Sequence, residues 1–131
     1  MEICQASHYD DAINQICQVH GIRLAMMVNK SGKRIAGGFG NKATPLEKDE
    51  KKIDFMVMEI TLELSTKEQF DNSLNDILGI VSYRDGATII SVPHQNDWIM
   101  LFVEPELDPL KIIQIVCQNL IPNEITKCMI Q

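Results

Sequence analysis

The sequence predicts a three-layer α/β/α domain of the α+β class, with a central five-stranded antiparallel sheet and elements in the order α-β-β-α-β-β-β-α. Three observations carry this expectation. Short turn signals (Asn29-Lys30-Ser31-Gly32, Asp85-Gly86 and the stretch Pro93 to Asp97) separate strand-like runs, and tight turns join antiparallel neighbours. Two of those runs, Ile22 to Val28 and Ile99 to Val103, are apolar at almost every position, as in strands covered on both faces. Segments of helical periodicity lie before, between and after the strands, so helices are available for both faces of the sheet.

The elements follow in order. Ser7-His8-Tyr9-Asp10 reads as a capping box with Asp10 in place of the usual Glu. Ile13, Ile16, Cys17 and His20 then keep helical spacing, and Gly21 takes the C′ position, with His20 placed to hydrogen-bond the last carbonyls. Ile22 to Val28 is the first strand, interrupted only by Arg23. Lys33 to Gly38 is the second, and Gly37, Gly38 and Gly40 predict a bulged or frayed end. Thr44-Pro45-Leu46-Glu47 is the strongest helix start: Thr44 caps, Pro45 sits at the first helical position and Glu47 completes the capping box. This helix is expected from Pro45 to about Leu64, with a pattern that permits extension through Phe70. The last three strands are expected at Ile80 to Arg84, Ala87 to Val92 and Trp98 to Val103. Asp108-Pro109 opens the final helix, whose apolar side is read as Leu110, Ile113, Val116, Cys117, Leu120 and Ile121, before Pro122 stops it.

Composition sets outer bounds. At 131 residues, 45% hydrophobic and 23% charged, the chain is read as one folded domain over 1–131, with a core at about 7–122 and a tail at 123–131. A formal net charge of −6 argues against a nucleic-acid surface, which needs clustered Lys and Arg. No apolar run reaches the ~18 residues that cross a bilayer, and no leader pattern is seen at the amino end, so the expected location is the cytoplasm. The four cysteines form no C-x-x-C pair. Cys17 and Cys117 are read as small core residues; Cys4 and Cys128, near the two ends, either meet or stand as exposed thiols, and a reduced cytosolic compartment is expected.

The long helix is apolar on two sides. At about 100° per residue, Ile53, Met56, Val57, Ile60 and Leu64 gather on one side, and Phe55, Met58 and Leu62 on nearly the opposite one. Asp54 and Thr61 separate the groups along one edge, and Lys52, Glu59 and Glu63 along the other. The wider, β-branched stripe suits the helix's own sheet. The second stripe then needs another cover. Either Lys67 to Leu74 or the carboxy-terminal tail supplies it, or a second copy does so with its helix antiparallel; we favour the copy, with the charged separators as a rim.

The element order, the hairpin Met27-Val28-Asn29-Lys30-Ser31-Gly32-Lys33-Arg34-Ile35-Ala36 and the run Asp97-Trp98-Ile99-Met100-Leu101-Phe102-Val103 leading to Glu104-Pro105 resemble the roadblock/light-chain-7 domain, a profilin-like fold. The resemblance covers roughly residues 10–121, extends to small archaeal proteins carrying this domain, and rests on apolar and turn patterns. It implies a non-enzymatic dimerisation module that pairs through the long helix and an adjacent edge strand, and that engages small Ras-like GTPases or holds a larger complex together. On this sequence it would place Phe55, Met58, Leu62 and Glu59, with Ile80, Ser82 and Arg84 of the third strand, at a homodimer boundary. The stretch Ser65 to Asn75 departs from the pattern.

No catalytic, cofactor or metal residue is assigned. Gly37-Gly38-Phe39-Gly40 lacks the helix and Lys of a phosphate loop, and Asn29-Lys30-Ser31 lacks the Asp of a guanine-reading motif. Asp49, Glu50, Asp54, Glu59 and Glu63 alternate with Lys as a solvated helix face would. Ser, His and Asp residues carry no local signature, and His94 is read as a solvated turn residue. The rival reading is a profilin-like small-molecule sensor, in which Arg23, Tyr83 and Arg84 would supply polar contacts.

Overall fold

Hairpin turns set the sheet. Asn29 closes the first: its carbonyl accepts from the Gly32 N–H at 3.0 Å, and its side-chain Oδ1 accepts from the N–H groups of Ser31 and Lys33 at 2.9 and 3.1 Å. This is the Asx geometry that makes Asn a turn former. The second closes where the Arg84 N–H donates to the Ala87 carbonyl at 2.9 Å. The third needs only Gln95 and Asn96, with Gln95 in the left-handed region at φ 57°.

In this computed structural model, residues 11–40 and 50–120 are described. They form α1 (residues 11–17), β1 (Ile22–Val28), β2 (Arg34–Phe39), α2 (Glu50–Lys67), a 3-10 turn (Glu68–Phe70), α3 (Asp71–Leu74), β3 (Ile80–Tyr83), β4 (Thr88–His94), β5 (Asp97–Val103) and α4 (Pro109–Leu120). The strands make one antiparallel sheet in the order β2-β1-β5-β4-β3, so β2 and β3 are its edges. The central pair is the apolar one, with Met26 opposite Met100 and Met27 opposite Ile99.

Alternation along these strands builds two cores. Ala25, Met27, Ile99, Leu101 and Val103 point into the layer of α1 and α4, where Ile13, Ile16, Ile112 and Val116 meet them. Leu24, Met26, Val28, Met100 and Phe102 point the other way, onto Ile53, Val57 and Leu64 of α2. The three-layer α+β fold expected from the sequence is the one observed. Helix ends follow their signals where described: Gly21 has φ +94°, and the Asp108 carboxylate accepts from the Leu110 N–H at 3.0 Å, an N-cap. The proposed starts at Ser7 and Thr44-Pro45 lie outside the described residues, as do Cys4 and Cys128.

Several expectations are corrected. Pro93 belongs to β4, not to a turn; β3 covers only Thr88 to Ser91 of that strand, so no partner strand on that side asks Pro93 for an N–H. His94, expected in solvent, is buried at the end of β4. On α4, Ile112 takes the inner position in place of Leu110, which is exposed, because the buried row runs Ile112, Val116, Leu120 at i, i+4 spacing. Cys117 is buried and disulfide-bonded rather than a free core thiol, whereas Cys17 is free. The bulged or frayed end expected at Gly37, Gly38 and Gly40 is not where the irregularity falls: pairing stays in register from Ala36 to Phe39 and shifts near Ile35, while Gly37, at φ +138°, is a place only glycine fits because a Cβ there would lie 2.6 Å from the Ala25 carbonyl.

Candidate functional site

The site is built on α2. Its sheet-facing row is Ile53, Val57, Thr61 and Leu64, all buried. Thr61, read from sequence as an edge separator, belongs to this inner row and satisfies its hydroxyl by donating to the Val57 carbonyl at 2.8 Å. The outer stripe stays open: Phe55 is 68% exposed, Met58 54% and Leu62 67%. Residues 67–74 do not cover it, and Phe70 and Leu74 are themselves exposed. Single exposed apolar residues are ordinary on a protein surface; here three of them align as one exposed stripe along a single helix.

Each flank of α2 has a different neighbour. Asp54 accepts from Arg34 Nε at 2.8 Å, Gly32 lies 3.5 Å from Met58 when given a Cβ, and Lys30 Nζ meets Glu68 at 3.3 Å. The β1–β2 turn therefore runs along this flank, and Phe55 and Met58 share a shallow depression with Lys33, Arg34 and Lys51. On the other flank, Met56, Glu59, Ile60 and Glu63 form one wall of a groove of about 380 Å³, and Ile80 and Ser82 of β3, with Arg84 just after the strand, form the facing wall. Among the described residues, no strand lies beside the outer backbone edge of β3.

The seven residues proposed from sequence thus divide into two groups. Glu59, Ile80, Ser82 and Arg84 meet in the groove, while Phe55 and Met58 sit on the turn side, with Leu62 on the same stripe. Met56 and Ile60, assigned from sequence to the sheet-facing stripe alone, also line the groove. The strand order is what reveals this, because a helical wheel gives an angle but not which strand lies beside it.

The sensor residues do not converge. Arg23 Nε pairs with Glu104 at 3.3 Å and its Nη1 donates to the Gly86 carbonyl at 2.6 Å, so it ties β1 to the end of β5 and to the β3–β4 turn. Arg84 reaches the groove; neither Arg23 nor Tyr83 is among the described residues that line it. Glu63 pairs loosely with Lys67 one turn on, at 3.7 Å. Among the described residues, no three His, Cys, Asp or Glu side chains gather as a metal site, and no helix is long and apolar enough to cross a membrane. The Cys17 thiol is pushed up in pKa by burial, although backbone hydrogen bonds at Ala25 and Gly38 oppose the shift.

By sequence, no protein-family model matches the chain and no curated protein is recognisably similar to it. By structure it is similar to a roadblock/LC7 domain from Streptomyces avermitilis, with a TM-score of 0.67 at 12% identity over 93% of this chain and 98% of that one. It is also similar to the gliding protein MglB from Thermus thermophilus (TM-score 0.65, 10% identity, 94% and 86% covered). An MglB with tetrameric arrangement matches as well (TM-score 0.66, 11% identity, 95% and 87% covered). The chain has the roadblock/LC7 fold.

Proposed function

We propose that this protein is a non-catalytic self-pairing module: it forms a homodimer through the outward side of α2 and the free edge of β3, and the paired surface docks a protein partner. The observation that carries this reading is the exposed stripe of Phe55, Met58 and Leu62 on a helix that already packs on its own sheet. The unpaired β3 edge supports it, since an open edge beside an apolar groove is a template for another chain. A small Ras-like GTPase is the partner class that the roadblock resemblance implies, and a regulatory or scaffolding role toward such a protein completes the proposal.

The test is absolute mass in solution, by size-exclusion chromatography with light scattering over a range of concentrations. The expected species is an assembly of at least two 14.8-kDa chains. A single chain at every concentration would remove the reading. Cytoplasmic location is part of the proposal and has its own check: protein purified with its thiols blocked should show whether the Cys117 disulfide exists in the cell or forms on isolation.

A further inference from the structure

The groove between α2 and β3 holds polar groups whose bonding the chain leaves unmet. Ser91 lines it from β4 and is only 2% exposed, and among the described residues its hydroxyl has no hydrogen-bond partner. A buried hydroxyl left unpaired costs stability, so such a group marks a place for a bonding partner from outside the chain. Glu59 on α2 and Arg84 just after β3 line the groove from facing walls. Both are exposed, and among the described residues neither side chain makes an ion pair. Glu63 differs, since its carboxylate is engaged with Lys67. Met56, Ile60, Leu64, Ile80 and Ile89 make the lining between the charges apolar. The volume of about 380 Å³ lies at the lower end of the ~300–1,000 Å³ typical of small-molecule sites.

We propose that this groove binds a small aliphatic zwitterion, a molecule with an ammonium and a carboxylate at opposite ends of a short apolar chain. Glu59 takes the ammonium. Arg84 takes the carboxylate through the paired N–H groups of its guanidinium, and the aliphatic chain lies over Ile60 and Ile80. The Ser91 hydroxyl, which can donate or accept, bonds whichever charged end sits deeper. A polypeptide strand is a poorer occupant. Added to the free edge of β3, it would lie in the plane of the sheet, two strand spacings or about 10 Å from β4, and would leave Ser91 unreached. A molecule that enters between α2 and the sheet meets all three polar groups. The site goes beyond the self-pairing reading and does not require it.

The experiment is calorimetric titration of the full chain with ε-aminocaproate, hexylamine and caproate, which share a chain length and differ in their charges. The zwitterion should bind with a Kd of about 1 mM or tighter, and each probe lacking one charge at least about tenfold more weakly. Glu59→Gln should then bind ε-aminocaproate no better than the wild type binds caproate, and Arg84→Gln no better than the wild type binds hexylamine. Ser91→Ala should weaken ε-aminocaproate about tenfold while the unfolding temperature of the ligand-free protein stays or rises, because an unpaired hydroxyl has been removed. A hydroxyl that serves only the fold would lower that temperature and leave the titration unchanged. No saturable heat at millimolar probe, three probes that bind alike, or Glu59→Gln and Arg84→Gln without effect overturns the proposal. Light scattering on the same samples scores self-pairing separately. Zwitterion binding by a chain that stays single supports the site and removes self-pairing; assembly without zwitterion binding does the reverse.

Discussion

Two helices cover the two faces of the same sheet, and they are built differently. On α4 the inner row of Ile112, Val116 and Leu120 is buried and the outer side carries polar residues such as Lys111 and Gln118, with Leu110 the only large exposed apolar side chain. On α2 an equally buried row, Ile53, Val57 and Leu64, is backed by a second apolar row, Phe55, Met58 and Leu62, that stays more than half exposed. One helix finishes a core; the other finishes a core and starts a surface. Equal inner rows with unequal outer rows mean that the outer residues of α2 are not needed for the monomer's fold.

That contrast can be broken at its strongest point first. Leu64→Ala on α2 and Ile112→Ala on α4 should each cost about 2–5 kcal/mol in urea denaturation, since both are buried side chains that leave cavities. A much smaller loss at Leu64 would mean that the α2 layer is loosely docked and that the two inner rows are not equivalent. On the outer side, Phe55→Lys combined with Met58→Lys should weaken self-association at least about a hundredfold, while unfolding of the dilute protein changes by no more than about 0.5 kcal/mol. Gln118→Lys on α4 should do neither.

Two smaller effects sharpen the picture. Burial raises the Cys17 thiol's pKa, so the folded state holds its proton after the unfolded chain has lost it. Its contribution to stability is complete below about pH 9 and falls away as pH climbs past the ordinary thiol value of 9.0, a decline that Cys17→Ala should remove from a denaturation series. The same burial should keep Cys17 unreactive to alkylating reagents near neutral pH until the α1–α4 layer opens. Last, Arg34→Ala should cost less than about 1 kcal/mol, because Asp54 is more than half exposed and the pair is screened by water.

Most of the fold was legible in the sequence because its signals are local. The Asn29 turn, the Asp108 cap and the apolar runs of β1 and β5 each declare themselves within a few residues. What was hidden depends on distant chain segments. Pro93 was read as a turn because nothing near it reveals that β3 stops short of it, and His94 was read as solvated because that turn was expected to include it, whereas both residues continue β4. The candidate surface shows the same division. The wheel separated Phe55, Met58 and Leu62 from the sheet-facing row, and their exposure in the structure agrees with that separation. It could not tell that β3 lies beside Met56 and Ile60 while the β1–β2 turn lies beside Met58, since that follows from the order β2-β1-β5-β4-β3. Cys117 belongs to the same class: its spacing suits a core residue, and spacing on α4 alone does not show that it is disulfide-bonded.

The central claim is that the outer row of α2 is an assembly surface. Light scattering on the wild-type chain and on the Phe55→Lys/Met58→Lys variant, matched in concentration from dilute to concentrated, tests it directly. The account predicts a wild-type mass that rises above one 14.8-kDa chain and a variant mass that is smaller at every concentration where the wild type assembles. Identical masses for the two proteins across the whole range would contradict it.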